Sequence, residues 1–322
     1  MHVLITGATG FIGSHVARLL VREGHQVVGY ESMPTPARIS DVAEQVTIVR
    51  GDICDLDVLV AAMKRHLITH VVHLAYFLPE AAIAEAPTKA IRVNCEGTNN
   101  VFEAARFLGV HKVVYSSTDA VCPLGPNEDD PTNPRTLYGH MKYFNEVMGR
   151  HFSSHFGLDT VGLRFGVNYG PGGRRLADEV HRKYGSAVLH HILEGMMLGK
   201  SIHVDMPPET AFAWNYVRDN ARCIALALDA PPTKRKVFDV PGERRSIKEL
   251  TDLLERMVPG CKATYGLHSE DAGVIVLKPS FAIDPRIIRD EIGFEAQYTV
   301  QTGLAEQAEE VQRARRMYEF EE

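Results

Sequence analysis

The sequence predicts an α/β fold: a doubly wound parallel sheet with a smaller, mixed α/β lobe toward the C-terminus. Two patterns predict it. Through the first half, apolar runs of strand length alternate with amphipathic stretches of helix length, the pattern of βαβ units. After Phe165 that alternation gives way to segments broken by Gly170–Gly173 and Pro207–Pro208, and periodicity returns only at Tyr216. The length, 322 residues, exceeds what a single core usually fills, so a second packing unit is expected.

Strands are expected at Val3–Thr6, Gln26–Tyr30, Thr47–Arg50, His70–Leu74, Lys112–Ser116 and Thr160–Arg164. Between them, helices are expected at about Gly10–Glu23, Asp55–His66, Lys89–Leu108 and Leu137–Gly157, each closed by a Gly, a His or both. Further on, helices are expected near Ser186–Leu198, at Tyr216–Leu228 and at Ser246–Met257. A strand begins at Val237, and Phe281–Ile283 and a polar C-terminal helix complete the lobe. The expected division is 1–165 plus about 215–240 for the sheet domain, and about 166–214 plus 241–322 for the lobe.

Composition narrows the class. The chain is 45% hydrophobic and 24% charged, with 26 Gly and 17 Pro, as in a globular protein without low-complexity tracts. A net charge of -6 without any Lys/Arg block argues against nucleic-acid or membrane-surface partners. The five cysteines are odd in number and lack CxxC or Cys/His ligand spacing, so neither a disulfide framework nor a metal site is implied. With no basic leader and no apolar run of spanning length, a cytoplasmic location is expected.

Gly7, Gly10 and Gly13 form GxxGxxG directly after an apolar strand and at the mouth of a helix. Backbone can then approach a pyrophosphate whose charge meets the helix N-terminus, with Phe11 and Ile12 supplying amides beside the glycines. The second strand ends at Glu31, where a carboxylate accepts hydrogen bonds from both ribose hydroxyls and repels a 2′-phosphate. The cofactor expected is therefore NAD rather than NADP, with Asp52 and Ile53 after the third strand as adenine contacts.

Tyr138 and Lys142 stand in YGHMK, a spacing of four that puts both on one helix face. A phenol with an ordinary pKa of about 10 is a poor base at neutral pH, and a nearby ammonium lowers it. Just before this helix a strand ends in Ser116-Ser117-Thr118-Asp119, at the sheet edge where ligands bind in open α/β folds. Together these groups describe hydride transfer at a carbinol carbon.

The set of segments resembles the NAD-dependent epimerase/dehydratase family, the extended short-chain dehydrogenases of Rossmann fold, most of which act on nucleotide sugars. TGATGFIGSH, GDI at Gly51–Ile53, HLA at His73–Ala75, VNCEGT, YSST, YGHMK, LRFGVNYGPG, YVRDNA and IGFEAQYTVQTGL follow the family's order across nearly the whole chain. The resemblance implies Tyr138 as general base, Lys142 as its pKa-lowering partner and nicotinamide-ribose ligand, and Thr118 as the hydroxyl that polarises the reacting oxygen. It places Asn94 in support and Leu74, Ala75 and Tyr76 along the cofactor path, with Ser116 and Phe165 near the nicotinamide. Phe77, Thr118, Asp119, Asn168 and Arg174 would meet substrate. A homodimer is also implied, through the helices carrying VNCEGT and YGHMK; their apolar residues Val101, Phe102, Phe144 and Val147 suit either that contact or the intramolecular core.

Departures from the family pattern bear on substrate. Sugar-nucleotide 4,6-dehydratases carry Thr-Asp-Glu where this chain has Thr118-Asp119-Ala120, so the elimination lacks its base. The Asn that binds a sugar diphosphate in many relatives is Val167, with Asn168 one place on. No Arg precedes the aromatic residues of TAFAWNYVRD, leaving Arg174, Arg175, Arg182 and Lys183 as substitutes. Tyr76, Phe77 and Leu78 suggest a less anionic or more apolar ligand. The leading reading is an NAD-dependent epimerase or oxidoreductase acting on a sugar or nucleotide-sugar-like substrate through a transient ketone. A simple dehydrogenase of a non-nucleotide hydroxy compound is the alternative, and a non-catalytic NAD-binding sensor stands behind both.

Overall fold

The computed structural model describes residues 1–78, 80–122, 134–173, 186–266 and 284–319. The first half runs β1 (His2–Thr6), α1 (Phe11–Arg22), β2 (Gln26–Glu31), β3 (Val46–Arg50), α2 (Leu56–Arg65), β4 (His70–His73), α3 (Glu80–Glu85), α4 (Pro87–Ile91), α5 (Thr98–Phe107), β5 (Lys112–Thr118), α6 (Leu137–Phe156) and β6 (Asp159–Phe165). The second half runs β7 (Val167–Tyr169), α7 (Ser186–Met197), β8 (Ile202–Val204), β9 (Ala211–Tyr216), α8 (Val217–Asp229), β10 (Val237–Asp239), β11 (Glu243–Ser246), α9 (Ile247–Met257), β12 (Ala263–Tyr265), α10 (Pro285–Ile292) and α11 (Val300–Glu319).

Seven parallel strands form the main sheet in the order β10-β6-β5-β4-β1-β2-β3. The central strands read as unbroken apolar runs because both faces are covered. Val3, Ile5, Val72, Val114, Val161 and Leu163 pack against α1, α8 and α10 on one face. Leu4, Val28, Val71, Val113 and Tyr115 pack against α2, α5 and α6 on the other. The order reverses between β1 and β4, so the carboxyl ends of these two strands open the crevice where such sheets bind ligands.

A second apolar cluster lies outside this sheet. It gathers Leu189, Leu193 and Met196 of α7, Phe212 and Trp214 of β9, Leu250 and Leu254 of α9, and Leu304 of α11. The three-stranded sheet β11-β9-β7 and the β12-β8 pair belong to this half. None of these strands was predicted: β7, β8, β11 and β12 are three or four residues long, too short for alternation to read, and the six-residue β9, AFAWNY, does not alternate strictly. Phe281–Ile283 lies outside the described residues.

The helix predicted over Lys89–Leu108 is interrupted. A π-helical turn, Arg92–Gly97, separates α4 from α5. Asn94 sits in that turn and binds the Phe77 backbone at two points, while Gly97 packs so closely on Ile53 that a Cβ there would lie 2.7 Å from its side chain. An inserted residue of this kind is averaged away by a 3.6-residue period, which is why the sequence reads as one helix. The apolar residues left open between an outer face and the core divide between the two. Val101 and Phe102 are fully buried beneath the sheet, whereas Phe144 and Val147 are each 42% exposed.

Candidate active site

The β1–α1 turn is built for close backbone approach. Gly7 has φ +79°, and a Cβ there would lie 2.9 Å from the Ala75 amide nitrogen. A Cβ on Gly13 would lie 1.9 Å from the Gly7 carbonyl, so only glycine lets α1 start against the strand. The Gly10 amide donates to the Gly7 carbonyl at 3.0 Å. Gly10 is the N-cap, and no side chain caps the helix, which leaves the first-turn amides of Phe11, Ile12 and Gly13 directed at the crevice. That cradle fits a pyrophosphate.

Glu31 ends β2 beside this turn. Its Oε1 accepts from the Thr9 amide at 2.5 Å and from the Thr9 hydroxyl at 2.8 Å, which leaves Oε2 for another donor. Burial pushes the carboxyl up, and the Thr9 bonds pull it back. Asp52 is exposed after β3 and accepts from the Cys54 amide at 2.9 Å. Ile53 is buried, its carbonyl held by the Asn100 amide group at 3.0 Å.

At the end of β4, Leu74 and Ala75 lie against Gly7, and both their amides donate to the Thr6 hydroxyl at 3.2 Å. His73, unassigned by sequence reasoning, is buried between the hydroxyls of Thr6 at 2.7 Å and Thr98 at 3.0 Å. Burial, with the nearby Lys142 charge, lowers its imidazole to about 3, so it stays neutral. Asn94 is fully buried. Its side chain accepts from the Phe77 amide at 2.7 Å and donates to the Phe77 carbonyl at 3.2 Å, fixing the segment that carries Tyr76 and Phe77. Asn145, also missed, donates to the Asn94 carbonyl at 2.9 Å.

α6 begins where Thr136 caps it by accepting from the Gly139 amide at 3.0 Å. Gly139 seats the helix start on the end of β5, since a Cβ there would lie 2.6 Å from the Ala120 carbonyl. One turn in, Lys142 is buried. Its Nζ donates to the Ser116 carbonyl at 2.9 Å and lies 3.1 Å from the Ser116 hydroxyl. Desolvation lowers its ammonium to about 7, against the pull of Glu146. The Tyr76 ring lies over that ammonium at 3.8 Å and meets the Tyr138 ring edge-on, with centroids 5.6 Å apart. A desolvated contact of this cation–π kind is worth about 2 kcal/mol.

Thr118 ends β5. Its hydroxyl donates to Asp119 at 3.3 Å and accepts from the Ala120 amide at 3.2 Å, capping a short 3₁₀ turn. Desolvation, reinforced by Asp239 and opposed by the Thr118 bond, raises the Asp119 carboxyl to about 6. Behind the strand, Glu146 is fully buried and accepts from Ser117 at 2.6 Å and from Arg164 through two bonds of 2.7 Å. Cys122 completes this group 3.5 Å from Arg164, its thiol pushed up to about 12 by burial. Here a small side chain leaves room for the guanidinium.

Phe165 lies in the first core, beside Thr118 in register. Val167 is buried in the second core, and Asn168 accepts from the Asn220 amide group at 2.7 Å. Arg174, Arg175, Arg182 and Lys183 lie outside the described residues. Among the described residues no three His, Cys, Asp or Glu side chains gather as a metal site, and no helix is long and apolar enough to cross a membrane.

The profile of the NAD dependent epimerase/dehydratase family matches residues 3–240. UDP-glucuronate 4-epimerase 4 of Arabidopsis thaliana is 32% identical over 332 residues, covering 94% of this chain and 73% of that protein. UDP-glucose 4-epimerase from Thermotoga maritima, solved with UDP-glucose, has a TM-score of 0.84 at 24% identity, covering 98% and 99% of the two chains. L-threonine dehydrogenase from Clostridium difficile has a TM-score of 0.83 at 23% identity, covering 97% and 98%. The two solved structures establish the shared fold. The chain belongs to the NAD-dependent epimerase/dehydratase family, whose cofactor is the one its glycine turn and Glu31 imply.

Proposed function

We propose that this chain is an epimerase that oxidises and re-reduces a carbinol carbon of a sugar or nucleotide-sugar-like substrate through a transient ketone. The observation that carries the reading is the seat of Lys142: a buried ammonium bound to Ser116 at the carboxyl end of β5, with Tyr138 one turn before it and Thr118 two residues beyond. In this reading the amides after Gly10 receive the pyrophosphate, Glu31 Oε2 the ribose, and Asp52 and Ile53 the adenine. Leu74, Ala75, Tyr76, Ser116 and Phe165 flank the nicotinamide end. NAD, when bound, supplies a reversible hydride acceptor. Lys142 lowers the Tyr138 phenol so that it takes the substrate hydroxyl proton, and the Thr118 hydroxyl turns from Asp119 to the reacting oxygen. The carbinol C–H electron pair leaves with its hydrogen as hydride, giving a C=O group. If the ketone turns before hydride returns, the configuration inverts and every atom and electron is restored.

Ala120 disfavours a 4,6-dehydratase, because no acid there can remove the second proton. The burial of Val167 favours a second reading, a dehydrogenase of a non-nucleotide hydroxy compound, since that position offers no polar group to a diphosphate. Incubation with NAD separates the two. Epimer formation from UDP-glucuronate or UDP-glucose, without accumulation of NADH, is the expected result. NADH release with small hydroxy compounds and none with either UDP-sugar would favour the second reading.

A further inference from the structure

Tyr76 contacts both members of the base pair, and its hydroxyl does not account for its position. Its phenol oxygen is buried without a hydrogen-bond partner among the described residues, while Cys95, Met141, Ile83 and Ala90 pack around this part of the fold. Its ring face covers the Lys142 ammonium at 3.8 Å. Its ring also meets Tyr138 at an interplanar angle of 88°. The two-point grip of Asn94 on Phe77 fixes the backbone one residue away. With two contacts to Ser116 on one side and an aromatic face on another, the ammonium is buried and held on two sides.

We propose that Tyr76 is a positioning residue whose ring, not its hydroxyl, holds the Lys142 ammonium and the Tyr138 ring in one fixed arrangement, so that the charge acts on the phenol without solvent screening. The titratable groups facing this pair are His73 from β4, Cys95 from the π-helical turn and Glu146 from α6. The His73 imidazole is neutral, with a pKa of about 3, and Glu146 is engaged by Arg164, so Lys142, whose own ammonium desolvation lowers to about 7, is the basic group whose charge bears on Tyr138. Replacing the ring by a flexible apolar chain admits water or lets the ammonium shift. Either change weakens its effect on Tyr138 and raises the phenol's midpoint.

This inference rests on Tyr138 as the base, and its test does not need turnover. Ultraviolet difference titration of the full chain in saturating NAD, with Tyr138→Phe as the blank in each background, isolates the Tyr138 ionisation. Tyr76→Phe is expected to superimpose on wild type, and Tyr76→Met to raise the midpoint by about one pH unit. Tyr76→Leu replaces the methionine variant if that one fails to fold. In a Lys142→Met background, removal of the Tyr76 ring is expected to have no further effect. An unshifted midpoint in Tyr76→Met, or an equal shift in Tyr76→Phe, would overturn the proposal. A protein that turns over no alcohol but shows the expected titrations would defeat the epimerase reading and leave this one standing.

Discussion

Single residues decide the cofactor turn, and most of them are readable from the sequence because glycine and acidic positions carry their physical reason with them. Gly13→Ala places a methyl carbon 1.9 Å from the Gly7 carbonyl. The expected result is a loss of NAD binding by calorimetry and a destabilisation of about 2 kcal/mol in urea unfolding. Glu31→Ala removes an acceptor of charge-assisted bonds, so NAD affinity should fall at least about tenfold while NADP affinity rises; tighter binding of NADP than NAD by the wild-type protein would contradict the role given to Glu31. What sequence could not show is that Glu31 also pins the turn through Thr9, or that Thr118 and Asp119 are hydrogen-bonded to each other. Such pairings depend on rotamers and on neighbours distant in sequence. Cys122 gains its account only from the Arg164–Glu146 pair beside it.

At the level of elements, every strand of the main sheet was legible: the central ones are plain apolar runs because both faces are covered, and the half-exposed edge strand β3 still reads as the short run VTIVR. The π-helical turn was not, and it is the element that aims Asn94. Asn94→Ala leaves the Phe77 amide and carbonyl without their partners, a cost of about 2 kcal/mol that urea midpoints would register, together with weaker NAD binding if the Tyr76 segment loosens. α6 shows the same division between what the sequence shows and what it hides. YGHMK gives the common face of Tyr138 and Lys142, but the reason the helix starts against Ala120 is Gly139, whose role appears only when the two elements meet. The outer face of α6 presents Phe144 and Val147, the remaining support for a homodimer now that Val101 and Phe102 lie in the core. Sedimentation should show a dimer at micromolar concentration, and Phe144→Glu combined with Val147→Glu should shift it to monomer.

For the whole molecule, the two-part division read from the sequence is proposed on the strength of two separate apolar clusters. They meet at the cofactor helix. His15 of α1 donates to the Pro171 carbonyl at 2.8 Å, and Phe11 meets His190 of α7 edge-on at 5.8 Å. Burial holds the imidazoles of His15 and His70 at about 4 and that of His73 at about 3, each below the ordinary 6.5. Between those values and 6.5 the unfolded chain binds protons that the folded chain refuses. Stability contributed by these groups is therefore full above pH 6.5 and falls as pH drops toward 4. Urea midpoints should be lower at about pH 5 than at about pH 7, with a shallower slope in His73→Gln. Substrate identity is the part least legible at any scale, because Val167, buried in the second core, presents no polar group to a ligand. The central claim, oxidation of an alcohol with Tyr138 as base, is tested most directly by Tyr138→Phe in the epimerisation assay. The account predicts a loss of at least about a hundredfold in turnover, with NAD binding and fold retained. Turnover at the wild-type rate would contradict it.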